Sequence, residues 1–163
     1  MNHSDQSASN SKPEKKKKSH PFWQFFWLSF LVLSLAYAWY SFYVPPNNID
    51  WKDNIVTAKQ EANESDKNML LFFTGDWCVP CKIMKREIFA DDNVAKDINS
   101  KLVSVLIDID DPKWSDLVKQ YNAGITPITM FTDHEGNVLD YAVGKINKSE
   151  FLKMFDNLDS AGS

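Results

Sequence analysis

The chain has 163 residues, a net charge of −4 and 44% hydrophobic residues, an ordinary composition for a globular protein. This length predicts one domain with an appended segment rather than two domains. The mild net charge does not favour nucleic-acid binding as a function. One basic run, residues 15–18, lies near the N-terminus and is soon followed by an apolar segment.

The N-terminal quarter of the chain divides into a polar part and an apolar part. Residues 1–21 are polar and basic and predict a disordered tail, because they contain too little apolar surface to form a core. Residues 22–44 carry no charged side chain, and as a helix they would span about 34 Å, enough to cross a bilayer core. Aromatic residues gather at both ends, where they favour the headgroup interface. We predict a retained transmembrane helix; cleavage of a signal peptide after the A-x-A sequence at residues 36–38 is the alternative.

The lysine run predicts how the chain crosses the membrane. Basic residues before an apolar span favour a cytoplasmic N-terminus, which explains the lysines better than a nucleic-acid-binding tail does. Pro45 and Pro46 end the helix, because neither can donate the helical hydrogen bond, and residues 45–49 are predicted to form a linker. The domain at residues 50–163 is then expected outside the cytoplasm, in the periplasm of a Gram-negative bacterium. The protein would be a single-pass protein of the inner, cytoplasmic membrane.

Apolar periodicity predicts helices and strands in alternation along this domain. Asp50 is expected to cap a first helix that carries Trp51 and Ile55. Residues 68–74 and 102–109 are short apolar runs typical of buried strands. A helix begins near Cys78 and continues through Ile88.

The second half of the domain continues the pattern. Asp91 to Asn93 precede a short helix, and residues 112–121 are predicted to form another. Residues 127–132 and 138–143 predict two strands joined by a turn. Asn147 begins a closing helix, with Glu150 at the capping-box position. This order predicts an α/β domain with a central mixed sheet flanked by helices.

The chain contains only two cysteines, Cys78 and Cys81, at the junction between a predicted strand and a helix. An intramolecular disulfide can therefore join only these two, and so small a loop adds little stability through entropy. A sulfur at a helix N-terminus lies near unpaired N–H groups, which lower the pKa of its thiol. Cys81, one turn later, can attack a mixed disulfide at Cys78. The spacing predicts one exposed nucleophile and one resolving thiol.

The segment FFTGDWCVPCK resembles the active-site sequence of the thioredoxin superfamily, and the resemblance covers residues 50–160. By this resemblance Cys78 and Cys81 are the catalytic pair, and Trp77, Val79 and Pro80 support the site. Gly124-Ile125-Thr126-Pro127 resembles the loop of that superfamily in which a cis-proline faces the disulfide. Thr126 is then expected to pair with substrate backbone and Pro127 to be cis, while Gly144 lies near the active-site groove.

Within the superfamily, the sequence is similar to the C-terminal domain of the membrane thiol transporter that supplies electrons to the periplasm. This chain departs from the transporter in having one predicted span. It also departs from thioredoxins, which usually place a buried aspartate six residues before the first cysteine. Here that position is Phe72, and Glu87, Asp108 or Asp110 are candidates to replace the aspartate. The departure predicts slower proton transfer at Cys81, or transfer through water.

The resemblance implies a thiol-disulfide oxidoreductase that reduces disulfides of exported proteins, because the residues between the cysteines lack the histidine of strong oxidants. Its partners would be exported thiols and disulfides and an unidentified electron donor or acceptor in the membrane, with no nucleic acid. No cofactor is expected beyond the redox-active disulfide, and no metal; a copper(I) site made by the two thiols is the rival interpretation. The alternative functions are a disulfide oxidase or isomerase, and a non-catalytic binding or assembly module.

Overall fold

The computed structural model describes residues 21–161, with side chains over residues 22–158. The predicted tail, residues 1–21, lies outside the described residues except for its last position. The chain divides into two units, residues 1–41 and 42–163, which we describe in turn.

The apolar segment forms one helix, α1 (Pro21–Phe42), whose side chains are almost all exposed. It is long and apolar enough to cross a membrane. The prediction extended the helix to residue 44, whereas it ends two residues earlier. Pro45 accounts for the loss of Val44 from the helix, because the residue before a proline is disfavoured in helical conformation.

The second unit contains a five-stranded mixed sheet, with strands in the spatial order β1-β3-β2-β4-β5. The strands β1, β2 and β3 run parallel to one another, and β4 and β5 complete the sheet in antiparallel pairs. Their bounds are β1 (Trp51–Lys52), β2 (Asn68–Thr74), β3 (Leu102–Asp108), β4 (Ile128–Thr132) and β5 (Val138–Val143). The predicted α/β fold is confirmed.

Within the described residues five α-helices accompany the sheet, two of them with the predicted caps. Asp91 accepts hydrogen bonds from the first turn of its helix, and Asn147 and Glu150 form the reciprocal bonds of a capping box. Residues 112–121 begin as a 3₁₀ turn at Pro112–Trp114 rather than as one continuous helix. The helices are α2 (Ile55–Ser65), α3 (Val79–Met84), α4 (Asp92–Lys101), α5 (Ser115–Gln120) and α6 (Lys148–Ala161), and a π-helical turn (Lys85–Phe89) extends α3.

The predicted start of the domain is wrong in one respect. Asp50 does not cap a helix, and Trp51 lies in the short strand β1, which pairs with β3. The helix begins at Ile55, because the Asn54 side chain accepts a hydrogen bond from the first-turn N–H of Val56 at 2.8 Å.

Two apolar clusters form the core of this unit. One contains the fully buried rings of Phe72, Phe89 and Phe151 together with both cysteines. The other contains residues of α2, the opposite-facing side chains of β2 and β3, and Trp114. The cysteines are thus anchored in the larger cluster, at the end of the central strand β2.

Candidate active site

The two cysteines lie where the chain leaves the sheet and enters α3. β2 ends at Thr74, a short turn follows, and Cys78 is the N-cap residue of α3. Its sulfur accepts a hydrogen bond from the Cys81 backbone N–H at 3.2 Å. Pro80 is in the first turn, where a missing N–H leaves no helical bond unmade. The sulfur of Cys78 is therefore held against the N–H groups of a helix end, as predicted.

Cys78 and Cys81 form a disulfide, with their Cα atoms 5.3 Å apart. The Cys78 residue is only 1% exposed and Cys81 is fully buried. The prediction of an exposed nucleophile is wrong for this state. The disulfide bond holds the Cys78 sulfur against the first turn of α3. Both cysteines belong to the larger apolar cluster.

The second predicted motif lies beside the start of β4. The Thr126-Pro127 peptide bond is cis, as predicted, and Pro127 is buried. The Pro127 carbonyl accepts a hydrogen bond from the Gly144 N–H at 2.8 Å, where Gly144 has a φ of +90° that L side chains rarely adopt. Because Ile128 pairs with Phe73, this loop flanks the end of β2 from which the disulfide turn departs.

Two residues next to the cysteines in sequence and one residue of the cis-proline loop have exposed apolar side chains. Trp77 is 62% exposed, Val79 54% and Ile125 61%. The first two were predicted to support the site. Ile125 lies in a groove with Ile128 and Tyr141 rather than in the cluster that holds the cysteines.

An acidic residue fixes the indole of Trp77. The Trp77 Nε1–H donates to Asp110 Oδ2 at 2.6 Å. Gly75 leaves room for this arrangement, since a Cβ added there would lie 3.1 Å from the indole nitrogen. The orienting role of Asp110 was not foreseen, because the two partners are 33 residues apart.

The position of the expected aspartate is wholly apolar. Phe72 is fully buried, and its ring lies 4.8 Å from that of Phe89. Of the candidate replacements, Glu87 is exposed and faces Lys145 at 3.6 Å, and Asp110 binds Trp77. The half-buried Asp108 accepts the Asp110 N–H. Among the described residues, no acidic side chain is buried beside the cysteines.

One basic side chain near the disulfide is half-buried. Lys85 follows Cys81 by one helical turn, and its backbone N–H donates to the Cys81 carbonyl. Burial lowers the pKa of the Lys85 ammonium, and the negative charges of Asp76 and Asp108 act in the opposite direction. No cluster of three or more His, Cys, Asp or Glu residues that could hold a metal ion occurs within residues 21–161.

Comparison with known proteins agrees with this geometry. Residues 55–159 match the model of the thioredoxin-like domain family. The chain belongs to that family. The fold is also that of a thioredoxin from Thermus thermophilus, with a TM-score of 0.63 and 19% identity over 71% of this chain and 91% of that one.

Two curated relatives of this thioredoxin-like domain are named thiol:disulfide interchange proteins. TxlA of Synechococcus elongatus is 30% identical over 105 residues, covering 64% of this chain and 53% of TxlA. DsbD of Yersinia pestis is 28% identical over 99 residues, covering 59% of this chain and 17% of DsbD. The chain therefore spans about half the length of one relative and about a sixth of the other.

Proposed function

We propose that this protein is a thiol-disulfide oxidoreductase that reduces disulfides of exported proteins through Cys78 and Cys81. The observation that carries the proposal is the disulfide at the N-terminus of α3, which follows the end of β2 that the cis-proline loop also flanks. The names of TxlA and DsbD, which describe thiol:disulfide interchange, support the same chemistry. The redox group is the disulfide itself, so the reaction needs no separate cofactor.

The reaction consists of two thiol-disulfide exchanges. In the reduced protein the Cys78 thiolate attacks one sulfur of the client disulfide; that bond breaks, a mixed disulfide forms, and the released client thiolate takes up a proton. Cys81 then loses its proton to water and attacks the Cys78 sulfur. The Cys78–Cys81 bond forms and the second client thiolate leaves and is protonated. The client gains two electrons and two protons; the protein loses two electrons and the Cys81 proton, and water supplies the other proton.

The residues around the disulfide are suited to hold a client chain. In the proposed complex, Trp77, Val79 and Pro80 contact the client beside its disulfide, and the cis-proline loop holds its backbone. Thr126 pairs with an extended client segment through main-chain hydrogen bonds, which accept many sequences. Pro127 keeps this loop beside the disulfide. The exposure of Trp77 and Val79, which lie next to Cys78 in the chain, supports their roles.

The segment between the cysteines favours a reducing role. Val79 and Pro80 lack a histidine that would stabilise the Cys78 thiolate and make the disulfide strongly oxidising. A reductase must be reduced again after each cycle, so we propose an electron donor in the membrane as a second partner. The long, exposed apolar helix α1 near the N-terminus supports placement of the protein in a membrane.

The proposed domain order follows from that placement. Residues 1–21 form a basic cytoplasmic tail, residues 22–44 contain the single span, residues 45–49 are a linker, and residues 50–163 are the thioredoxin-like domain. The lysine run before the span supports a cytoplasmic N-terminus and an extracytoplasmic domain, the periplasm in a Gram-negative bacterium. The cysteines would then meet exported proteins.

Insulin reduction by the full chain in lipid nanodiscs tests the activity, with dithiothreitol as the electron source. We expect turnover well above the uncatalysed rate, and complete loss in Cys78→Ser. Cys81→Ser should retain the attack but accumulate a mixed disulfide, detected by mass. Absence of turnover in the unmodified chain would contradict the proposal and favour a binding or assembly module.

Equilibration with glutathione buffers tests the direction of electron flow. A reduction potential near that of thioredoxin, about −270 mV, is expected for a reductase. A value near about −120 mV, typical of a strong disulfide donor, would instead favour an oxidase.

A further inference from the structure

The surroundings of the cysteine pair lack the buried acid found in typical thioredoxins. Both sulfurs belong to an apolar cluster that includes Phe72 and Met84. Over the described residues, the buried polar side chains are all threonine or serine, so no ionisable side chain besides the cysteines is buried. A thiolate formed here must therefore be stabilised by the helix N-terminus and by charges at the edge of the cluster.

Lys85 is placed to supply such a charge. It follows Cys81 by four residues and Cys78 by seven, so it lies on the same face of the helix as both. Helix α3 changes to π-helical geometry at this residue, where the Ala90 N–H donates to the Lys85 carbonyl. Such local π-helical turns are frequent at functional sites.

Charged groups before and after the disulfide turn act on the Lys85 ammonium. The carboxylates that act on it are Asp76, in the turn before Cys78, and Asp108, at the end of β3. Asp76 follows the carboxyl end of β2, and Asp108 is at the carboxyl end of β3 beside it. The positive charge of Lys82, which lies on the same helix as Lys85, also lowers the pKa of Lys85. Long side chains of a helix lean toward its N-terminus, so the Lys85 stem extends back toward Cys81, and Lys85 is half-buried.

We propose that the Lys85 ammonium is a positioning charge that stabilises the thiolate of the reduced Cys78–Cys81 pair. The inference rests on the proposed function, since it concerns the same two sulfurs. A nearby positive charge lowers the pKa of a thiol. It also stabilises the reduced form at neutral pH, which raises the reduction potential of the pair. The charges of Asp76 and Asp108 oppose this effect, so removal of Lys85 leaves two uncompensated carboxylates near the site.

The test uses the full chain in lipid nanodiscs, reduced with dithiothreitol and alkylated with iodoacetamide across a range of pH. The midpoint for modification of Cys78, read by mass, reports its thiol pKa. We expect Lys85→Met, which keeps the apolar stem but removes the charge, to raise the midpoint by about half a pH unit or more, a threefold change in ionisation. Lys85→Arg, which keeps the charge, should leave the midpoint within about 0.2 units. Lys96→Met, on an exposed face of α4, is the matched control and should not move it.

A second readout is the equilibrium with glutathione. At fixed glutathione composition and a pH well above the Cys78 midpoint, Lys85→Met should increase the ratio of disulfide to dithiol about threefold, because the thiolate has lost its stabilising charge. Lys85→Gln repeats both measurements and decides the question if Lys85→Met does not fold.

An unchanged or lowered midpoint in both neutral variants would overturn the proposal, as would an equal shift in Lys85→Arg. These outcomes are separate from the failure of the proposed function. That failure is the absence of insulin turnover in the unmodified chain, whatever the alkylation midpoints are.

Discussion

Truncation of Phe72 tests whether the position that carries a buried acid in thioredoxins has become a purely structural one here. Phe72 is fully buried, and its ring meets the ring of Phe89 at 4.8 Å and that of Trp51 at 6.4 Å. Phe72→Ala removes the ring from the centre of this aromatic group and leaves a cavity against the two neighbours.

The expected cost follows from burial. Truncation of a buried phenylalanine to alanine costs about 3–5 kcal/mol, and complete burial with two ring partners indicates about 4 kcal/mol here. An ordinary domain has a free energy of unfolding of only about 5–15 kcal/mol. For a domain of this size, the thermal midpoint should fall by roughly 15 °C.

Urea unfolding of the full chain in detergent, followed by tryptophan fluorescence, measures the effect. With an m-value of about 1.5 kcal/mol/M, the midpoint should fall by roughly 2.5 M. Tyr141→Ala is the matched control, because this aromatic residue of β5 is 59% exposed, and it should change the free energy of unfolding by less than about 1 kcal/mol. A loss below about 1.5 kcal/mol for Phe72→Ala, or one no larger than the control, would refute the packing argument.

Three further substitutions test other contacts. Asn54→Ala removes the cap of α2 and should lower the free energy of unfolding by about 1 kcal/mol in urea, whereas Asn54→Asp keeps an acceptor and should cost much less. Asp91→Asn keeps a capping oxygen on α4 but removes the ion pair with Lys148. Hydrogen bonding from Lys148, and then from helix N–H groups, holds the pKa of Asp91 below its ordinary value. Its stabilising effect is therefore complete above about pH 4 and is lost as pH falls through the folded-state pKa, so the stability difference between this variant and the unmodified chain should shrink in acid. Asp110→Ala frees the Trp77 indole and should change its fluorescence and raise KM for insulin severalfold, with kcat less affected.

Each of these predictions has an outcome that contradicts it. Equal stability of Asn54→Ala and Asn54→Asp would show that the side-chain acceptor does not stabilise α2. For Asp91, the prediction is contradicted if the difference in free energy of unfolding between the unmodified chain and Asp91→Asn grows as pH falls. For Asp110, the small substrate 2-hydroxyethyl disulfide is the control. An equal loss of activity on both substrates would show that the contact with Trp77 does not act on client binding.

Much of the fold follows from local patterns in the sequence. The apolar runs predicted as strands at residues 68–74 and 102–109 form β2 and β3, with β3 ending at Asp108, because short apolar runs are typical of strands buried on both faces. The capping box at Asn147 and the cap at Asp91 were predictable because their hydrogen bonds join residues within one turn. The disulfide pair was equally predictable, because the sequence has only two cysteines and they lie one helical turn apart.

The tertiary structure alone decided the features that join distant parts of the chain. The two-residue strand β1 is too short to show a pattern and exists because it pairs with β3, some 50 residues later. The hydrogen bond from Trp77 to Asp110 depends on how the loops after β2 and β3 meet at one end of the sheet. The burial of Cys78 depends on packing in the larger apolar cluster. Local sequence determines bonds within a turn, whereas these contacts form only after the strands have paired and brought their ends together.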